Sequence, residues 1–217
     1  MKRNLRFQQV YNELFAAYGK QYWWPGETPF EVMVGAILTQ NTAWINVEKA
    51  IANLKQADQL DPQSIVDSEH DQLALWLQPS GYFNIKAKRL RNYCLWYLDV
   101  GGYASLCNLD DTTLRKGLLS VNGVGPETAD DIMLYAFERP WFVVDAYTKR
   151  LFSRLGLMEE DISYQEVQDL FHAHLNAEVA LFNEYHALIV MHCKDVCRKK
   201  PLCQQCVLRE RCPVAQA

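Results

Sequence analysis

The sequence predicts an all-α protein built as two helical lobes with a cleft between them. Three observations predict it. Apolar residues recur at helical spacing through most of the chain, strand-like alternation never lasts more than a few residues, and short turns rich in Gly and Pro separate the segments.

The helices follow in order. After Pro29, Phe30, Met33, Val34, Ile37 and Leu38 share one face. Trp44, Val47, Ile51 and Leu54 mark a second helix, with Asn41 or Thr42 as its cap. Leu73, Leu75, Trp76 and Leu77 form a shorter piece that stops at Pro79-Ser80-Gly81. Leu90, Tyr93, Cys94, Tyr97 and Leu98 follow and end at Gly101-Gly102. Leu114, Leu118 and Leu119 lead into a glycine turn; Ile132, Met133, Tyr135 and Ala136 lead out of it toward Pro140. A helix runs through Leu151 and Leu155, and Val179, Phe182, Tyr185, His186 and Ile189 make the last long one. The expected division is a lobe over about 25–135, including the hairpin at 118–129, and a second lobe from 1–24 and 136–217 that ends in a cysteine loop, 197–212.

Composition bounds the class. With 217 residues, 49% hydrophobic and 22% charged, the chain can bury a full core and is neither disordered nor fibrous. The longest apolar run, Val32 to Leu38, falls far short of the ~20 residues a bilayer demands. Met1-Lys2-Arg3-Asn4-Leu5-Arg6 has charge but no apolar stretch behind it, so no secretory signal is read and a cytoplasmic, nucleoid-associated protein is expected. A net charge of −4 weighs mildly against wrapping nucleic acid by charge alone. It does not exclude binding, because a local basic face or a few backbone amides can hold phosphates.

Four cysteines crowd the end of the chain: Cys197-x5-Cys203-x2-Cys206-x5-Cys212, interleaved with Arg198, Lys199, Lys200, Arg209 and Arg211. In a reducing compartment such thiols hold metal more often than they form disulfides. Thiolates suit zinc and iron–sulfur equally, and the spacing does not choose. A basic tail with incidental cysteines is the blander reading, but the bracketed Cys203-x2-Cys206 pair argues against it.

Upstream, Leu118-Leu119-Ser120-Val121-Asn122-Gly123-Val124-Gly125-Pro126-Glu127-Thr128-Ala129 sets two glycines one residue apart between helices. Glycine permits positive φ and close approach, and Pro126 suits a first helical position. Amides of such a turn can bind a phosphodiester without reading bases; a plain helix–helix connection is the simpler alternative. About twenty residues on, Val143-Val144-Asp145 ends an apolar run ahead of a helix. Asp145 reads as an N-cap. Capping is compatible with catalysis, since a carboxylate at a helix N-terminus stays ionised and can orient water or stabilise a cationic transition state.

The glycine hairpin, the aspartate after it and the terminal cysteines together resemble the helix-hairpin-helix (HhH-GPD) DNA glycosylase superfamily, in its endonuclease III-like branch, from about Phe30 to Cys212. The resemblance implies a two-lobed α fold with damaged double-stranded DNA in the cleft, a flipped base and a cut N-glycosidic bond. It implies Asp145 as catalytic residue and a DNA-binding hairpin including Gly123, Val124, Gly125 and Thr128, whose carbonyls hold a monovalent cation. It further implies Gln40 as the residue that fills the vacated stack, with Asn41 beside it, and a [4Fe–4S] cluster on Cys197, Cys203, Cys206 and Cys212. Gln40 and Asn41 can also be read as simple loop residues.

Two departures matter. Bifunctional members carry a lysine two residues after the second glycine of the hairpin, and here that position is Glu127, which cannot form a Schiff base. A monofunctional hydrolase without lyase activity is therefore expected. The family also spaces its first two cysteines by six residues and this chain by five; Cys193, upstream on a helical stretch, is the one other candidate, and Cys197 is kept as the ligand.

Tyr22-Trp23-Trp24-Pro25 and Trp44 supply aromatics that cannot all face one core. Trp23, Trp24 and Trp44 are the expected base pocket, where an indole can hold a cationic methylated purine. This element, Leu38-Thr39-Gln40-Asn41-Thr42 and the missing lysine resemble the MagIII-type 3-methyladenine DNA glycosylases, which lack the cysteine loop. Other damaged or mispaired bases, and a catalytically silent iron–sulfur DNA-binding module, are the competing readings. Base release from methylated DNA separates the enzyme from the silent module. Lys86, Lys88, Arg89 and Arg91 form a basic helix start that serves either DNA or solvent. The scattered histidines, His172, His174, His186 and His192, are assigned no metal, and a monomer is expected.

Overall fold

A computed structural model describes residues 2–216, with side chains from Arg6 onward. In chain order the helices are α1 Lys2–Tyr18, α2 Pro29–Leu38, α3 Trp44–Gln56, α4 Pro62–Asp67, α5 His70–Leu77, α6 Phe83–Asp99, α7 Gly102–Cys107, α8 Asp111–Ser120, α9 Pro126–Asp131, α10 Ala146–Arg154, α11 Tyr164–His174, α12 Val179–Asp195 and α13 Pro213–Gln216. Among the described residues no strand forms. The backbone divides into two units: Trp24–Arg139, and Met1–Trp23 with Pro140–Ala217.

In the 24–139 unit, α2 is the central helix. Every residue from Glu31 to Leu38 is buried. Thr28 caps it by accepting from the Glu31 amide at 3.1 Å, and Pro29 occupies the first position, where its missing N–H costs nothing. Asp61 caps α4 and Asp110 caps α8 in the same way. Helix α3 differs from expectation. Its N-cap is Ala43, which has no side-chain cap bond, while Thr42 Oγ1 turns to the Ser80 carbonyl at 2.5 Å. The hairpin runs from α8 through Val121–Gly125 into α9. Arg115 on α8 grips buried Asp130 on α9 with two bonds of 2.6 and 3.0 Å, which fixes the helices on either side of the turn. Helix α9 then widens into a π-type turn at Ile132–Ala136, an inserted residue of the kind that re-aims side chains.

The other unit is cored by aromatics. Phe142 stacks on Phe171 at 3.7 Å, Phe7 meets Phe152 and Phe171 at 5.0 Å, and Tyr185 donates its hydroxyl to the Phe7 carbonyl at 2.8 Å. These contacts join α1, α10, α11 and α12. Helix α11 carries a full capping box between Ser163 and Glu166.

Candidate functional site

The hairpin explains its two glycines differently. Gly123 has φ +103°, and a Cβ there would lie 2.3 Å from Arg89 Cγ, so only glycine fits. A Cβ on Gly125 would meet nothing within 4 Å, so that glycine leaves room for an outside group to approach the backbone. Gln40 reaches this turn from the α2–α3 loop. Its Nε2 donates to the Gly123 carbonyl at 3.0 Å and to Thr128 Oγ1 at 2.9 Å, and its Oε1 accepts from Arg89. Thus Gln40, Gly123 and Thr128 are brought together, with Val124 and Gly125 in the same turn. Asn41 is exposed and left-handed, with φ +53°.

The expected basic face on α6 is corrected at Lys86. That side chain is buried, 1% exposed, because its ammonium is needed inside. Nζ donates to the carbonyls of Leu38 and Ser80, both at 2.7 Å, and to Thr42 Oγ1 at 2.6 Å. Burial, with Arg89 nearby, pushes Lys86 down to about 8. Lys86 and Arg89 therefore hold the Gln40 loop from one helix.

Trp24 and Trp44 meet edge to face at 4.8 Å, and Trp24 lies 4.8 Å from Tyr135. Both indoles pack over Gly35, whose Cβ would sit 3.1 Å from Trp44 and 3.3 Å from Trp24. Trp44 Nε1 donates to Glu48 at 2.9 Å. Trp23 belongs to the other unit, with Lys194 Nζ 5.8 Å from its ring centre.

Asp145 caps α10, accepting from the Thr148 amide at 2.7 Å and the Thr148 hydroxyl at 2.8 Å. Its second oxygen lies 3.6 Å from His186 Nε2 on α12, and both side chains are largely buried. Burial alone would raise the carboxyl. His186 and the two Thr148 donors outweigh it, so the Asp145 pKa falls below its ordinary value and the carboxylate persists. Sequence reasoning missed His186 as a partner, because only the fold carries α12 back to α10.

Cys197, Cys203, Cys206 and Cys212 line one apolar cavity, walled also by Leu202 and Val196. Four thiols around a small apolar space suit a cysteine-ligated group. Among the described residues no three His, Cys, Asp or Glu side chains converge as on a single ion. Arg154 donates to Cys197 Sγ at 3.3 Å and to the Arg198 and Lys199 carbonyls at 2.7 and 3.1 Å. Cys193 lies one helical turn before Cys197, with its thiol 3.6 Å from the Tyr147 carbonyl.

Residues 34–176 match the HhH-GPD superfamily base excision DNA repair proteins. A Methanocaldococcus jannaschii protein named "Putative DNA repair glycosylase MJ1434" is 50% identical over 207 residues, covering 94% of each chain. Endonuclease III of Sulfolobus acidocaldarius is 26% identical over 84% of this chain and 81% of its own. Among solved structures, H. pylori 3-methyladenine DNA glycosylase (MagIII) bound to 1,N6-ethenoadenine shares 29% identity, with a TM-score of 0.73 over 87% of this chain and 96% of that one. An endonuclease III–DNA covalent intermediate shares the fold, with a TM-score of 0.86 at 20% identity over 98% of this chain and 97% of that one.

Proposed function

The chain belongs to the HhH-GPD superfamily of base excision DNA repair proteins, and we propose that it is a monofunctional DNA glycosylase that removes alkylated purines, such as 3-methyladenine, from double-stranded DNA. The observation that carries this reading is Asp145: a shielded carboxylate kept ionised by His186 and Thr148.

A purine methylated on a ring nitrogen is cationic and leaves readily. The C1′–N bond breaks, its electron pair goes to the base, and positive charge develops on the sugar. The Asp145 carboxylate stabilises that charge, orients the water that adds to C1′ and accepts the proton that water gives up. His186 positions the carboxylate. Trp44, with Trp24 behind it, offers a ring face to the cationic base. Hairpin amides beside Gly125 hold a backbone phosphate, the turn's carbonyls would hold a monovalent cation that offsets phosphate charge, and Gln40 and Asn41 serve the vacated stack.

Monofunctionality is supported by Glu127 in place of the hairpin lysine and by Lys149, one turn past Asp145, whose Nζ is taken up by the Ile162 carbonyl at 2.6 Å. Cys197, Cys203, Cys206 and Cys212 would hold a [4Fe–4S] cluster, which when bound cross-links the loop carrying Arg198, Lys199 and Lys200.

The test is incubation with methylated duplex DNA. Free methylated purine should appear, with strand breaks only after alkali, and borohydride should trap no protein–DNA adduct. A trapped adduct would overturn the monofunctional reading, and failure to release any methylated base would overturn the substrate.

A further inference from the structure

His192 lies in the last turn of α12, next to buried Cys193 and just before the cysteine loop, and it is wholly enclosed. Its two ring nitrogens face different partners. Nδ1 lies 2.8 Å from the Tyr18 hydroxyl, at the end of α1, and Nε2 lies 3.6 Å from Cys206 Sγ. A ligating cysteine is a thiolate, and a thiolate only accepts hydrogen bonds. Nε2 must then carry hydrogen whether the ring is neutral or charged. In the neutral ring Nδ1 is left as an acceptor, which the Tyr18 hydroxyl satisfies. The phenol thus selects the tautomer that the sulfur requires, in the manner of outer partners that fix a metal-bound group.

We propose that Tyr18 and His192 form a hydrogen-bond relay that donates to Cys206 and tunes the group held by the cysteine loop, making His192 a positioning residue for that sulfur. The inference rests on the reading of the loop as a [4Fe–4S] site. An N–H donor withdraws electron density from a ligand sulfur. It favours the more negative, reduced state and so raises the reduction potential. The relay also ties α1, at the opposite end of the sequence, to the loop. Arg154 supplies the second N–H···S contact, on Cys197, from a side chain with several other partners.

The experiment uses the full chain, purified or reconstituted with iron and sulfide, and compares wild type with His192→Leu, His192→Gln and Tyr18→Phe. The readouts are the midpoint potential by voltammetry and the rate at which a chelator bleaches the visible absorption. His192→Leu should shift the potential to a more negative value and bleach several-fold faster. Gln, whose amide can donate to the same sulfur, should restore most of the wild-type behaviour. Tyr18→Phe, which keeps the ring and frees Nδ1, should shift both readouts in the same direction by less. If His192→Leu does not fold, the Tyr18→Phe shift decides. Coloured variants with unchanged potential and bleaching would overturn the relay and leave the cluster standing. Wild-type protein that stays colourless after reconstitution would overturn the cluster reading and the relay with it.

Discussion

Each unit buries a charge at its candidate site, and the two are treated in opposite ways. Asp145 sits among two donors from Thr148 and the Nε2 edge of His186, and its carboxyl is driven below its usual range. Lys86 sits among neutral oxygens, with the Arg89 cation nearby, and is driven down to about 8, toward losing its charge. One environment protects the charged form; the other tolerates an ammonium because three acceptors need its hydrogens. The difference suggests separate duties. A charge kept against burial is available for chemistry, whereas a charge used to satisfy carbonyls acts as a structural tie.

The sharpest break of this contrast is Asp145→Asn. Base release in single turnover should fall by roughly 10²–10⁴-fold, while affinity for lesion-bearing duplex stays near wild type. Excision at the wild-type rate would remove Asp145 from the chemistry. Lys86→Met should behave in the opposite way. Stability should drop by about 2–4 kcal/mol, since the Leu38 carbonyl and the Thr42 hydroxyl lose the Lys86 donor and the Ser80 carbonyl keeps only Thr42, as read by denaturant unfolding, and the activity of the folded fraction should change far less.

The aromatic site sharpens the same comparison. Trp44→Ala should lower excision of an alkylated purine by roughly 5- to 150-fold, the effect of about 1–3 kcal/mol of stacking; equal loss from Trp23→Ala alone would move the pocket. His186→Phe removes one of the causes that lower Asp145. The carboxyl should titrate higher, and the acid limb of the pH–rate profile should move to higher pH; an unmoved limb would leave His186 without that role. The smallest effect is a pH trend. Lys86 titrates lower in the folded chain than in the unfolded one. Between pH 8 and the ordinary lysine range the unfolded state therefore binds more protons, and unfolding free energy should rise with pH relative to Lys86→Met.

Much of this was legible in the residues. Helices α3 and α6 are legible because each has an apolar face, α2 and α12 because they are apolar stretches buried on nearly every side, and the glycine hairpin carries its own geometry. Helices α1, α4, α7 and α11 were not singled out. The Ser163–Glu166 capping box was readable in the sequence, but α1 shows its purpose only when Phe7 meets Phe152 and Phe171 from the far end of the chain. Of the proposed site residues, Asp145 was legible locally as a helix cap and by resemblance as a catalytic residue, and the four cysteines were legible by their spacing. His186, His192 and Lys86 were not, because each takes its role from a partner more than five residues away, and neither spacing nor composition records such pairs. The Gln40 contacts with Gly123 and Thr128 fall in the same class.

Gly35 has a final consequence. A methyl group there would lie 3.1 Å from Trp44 and 3.3 Å from Trp24, so the absence of a side chain at this position sets how closely the two rings approach α2. Under the proposed function, Gly35→Ala should displace the rings by a few tenths of an ångström and alter which bases are excised, as read by comparing release of different alkylated purines.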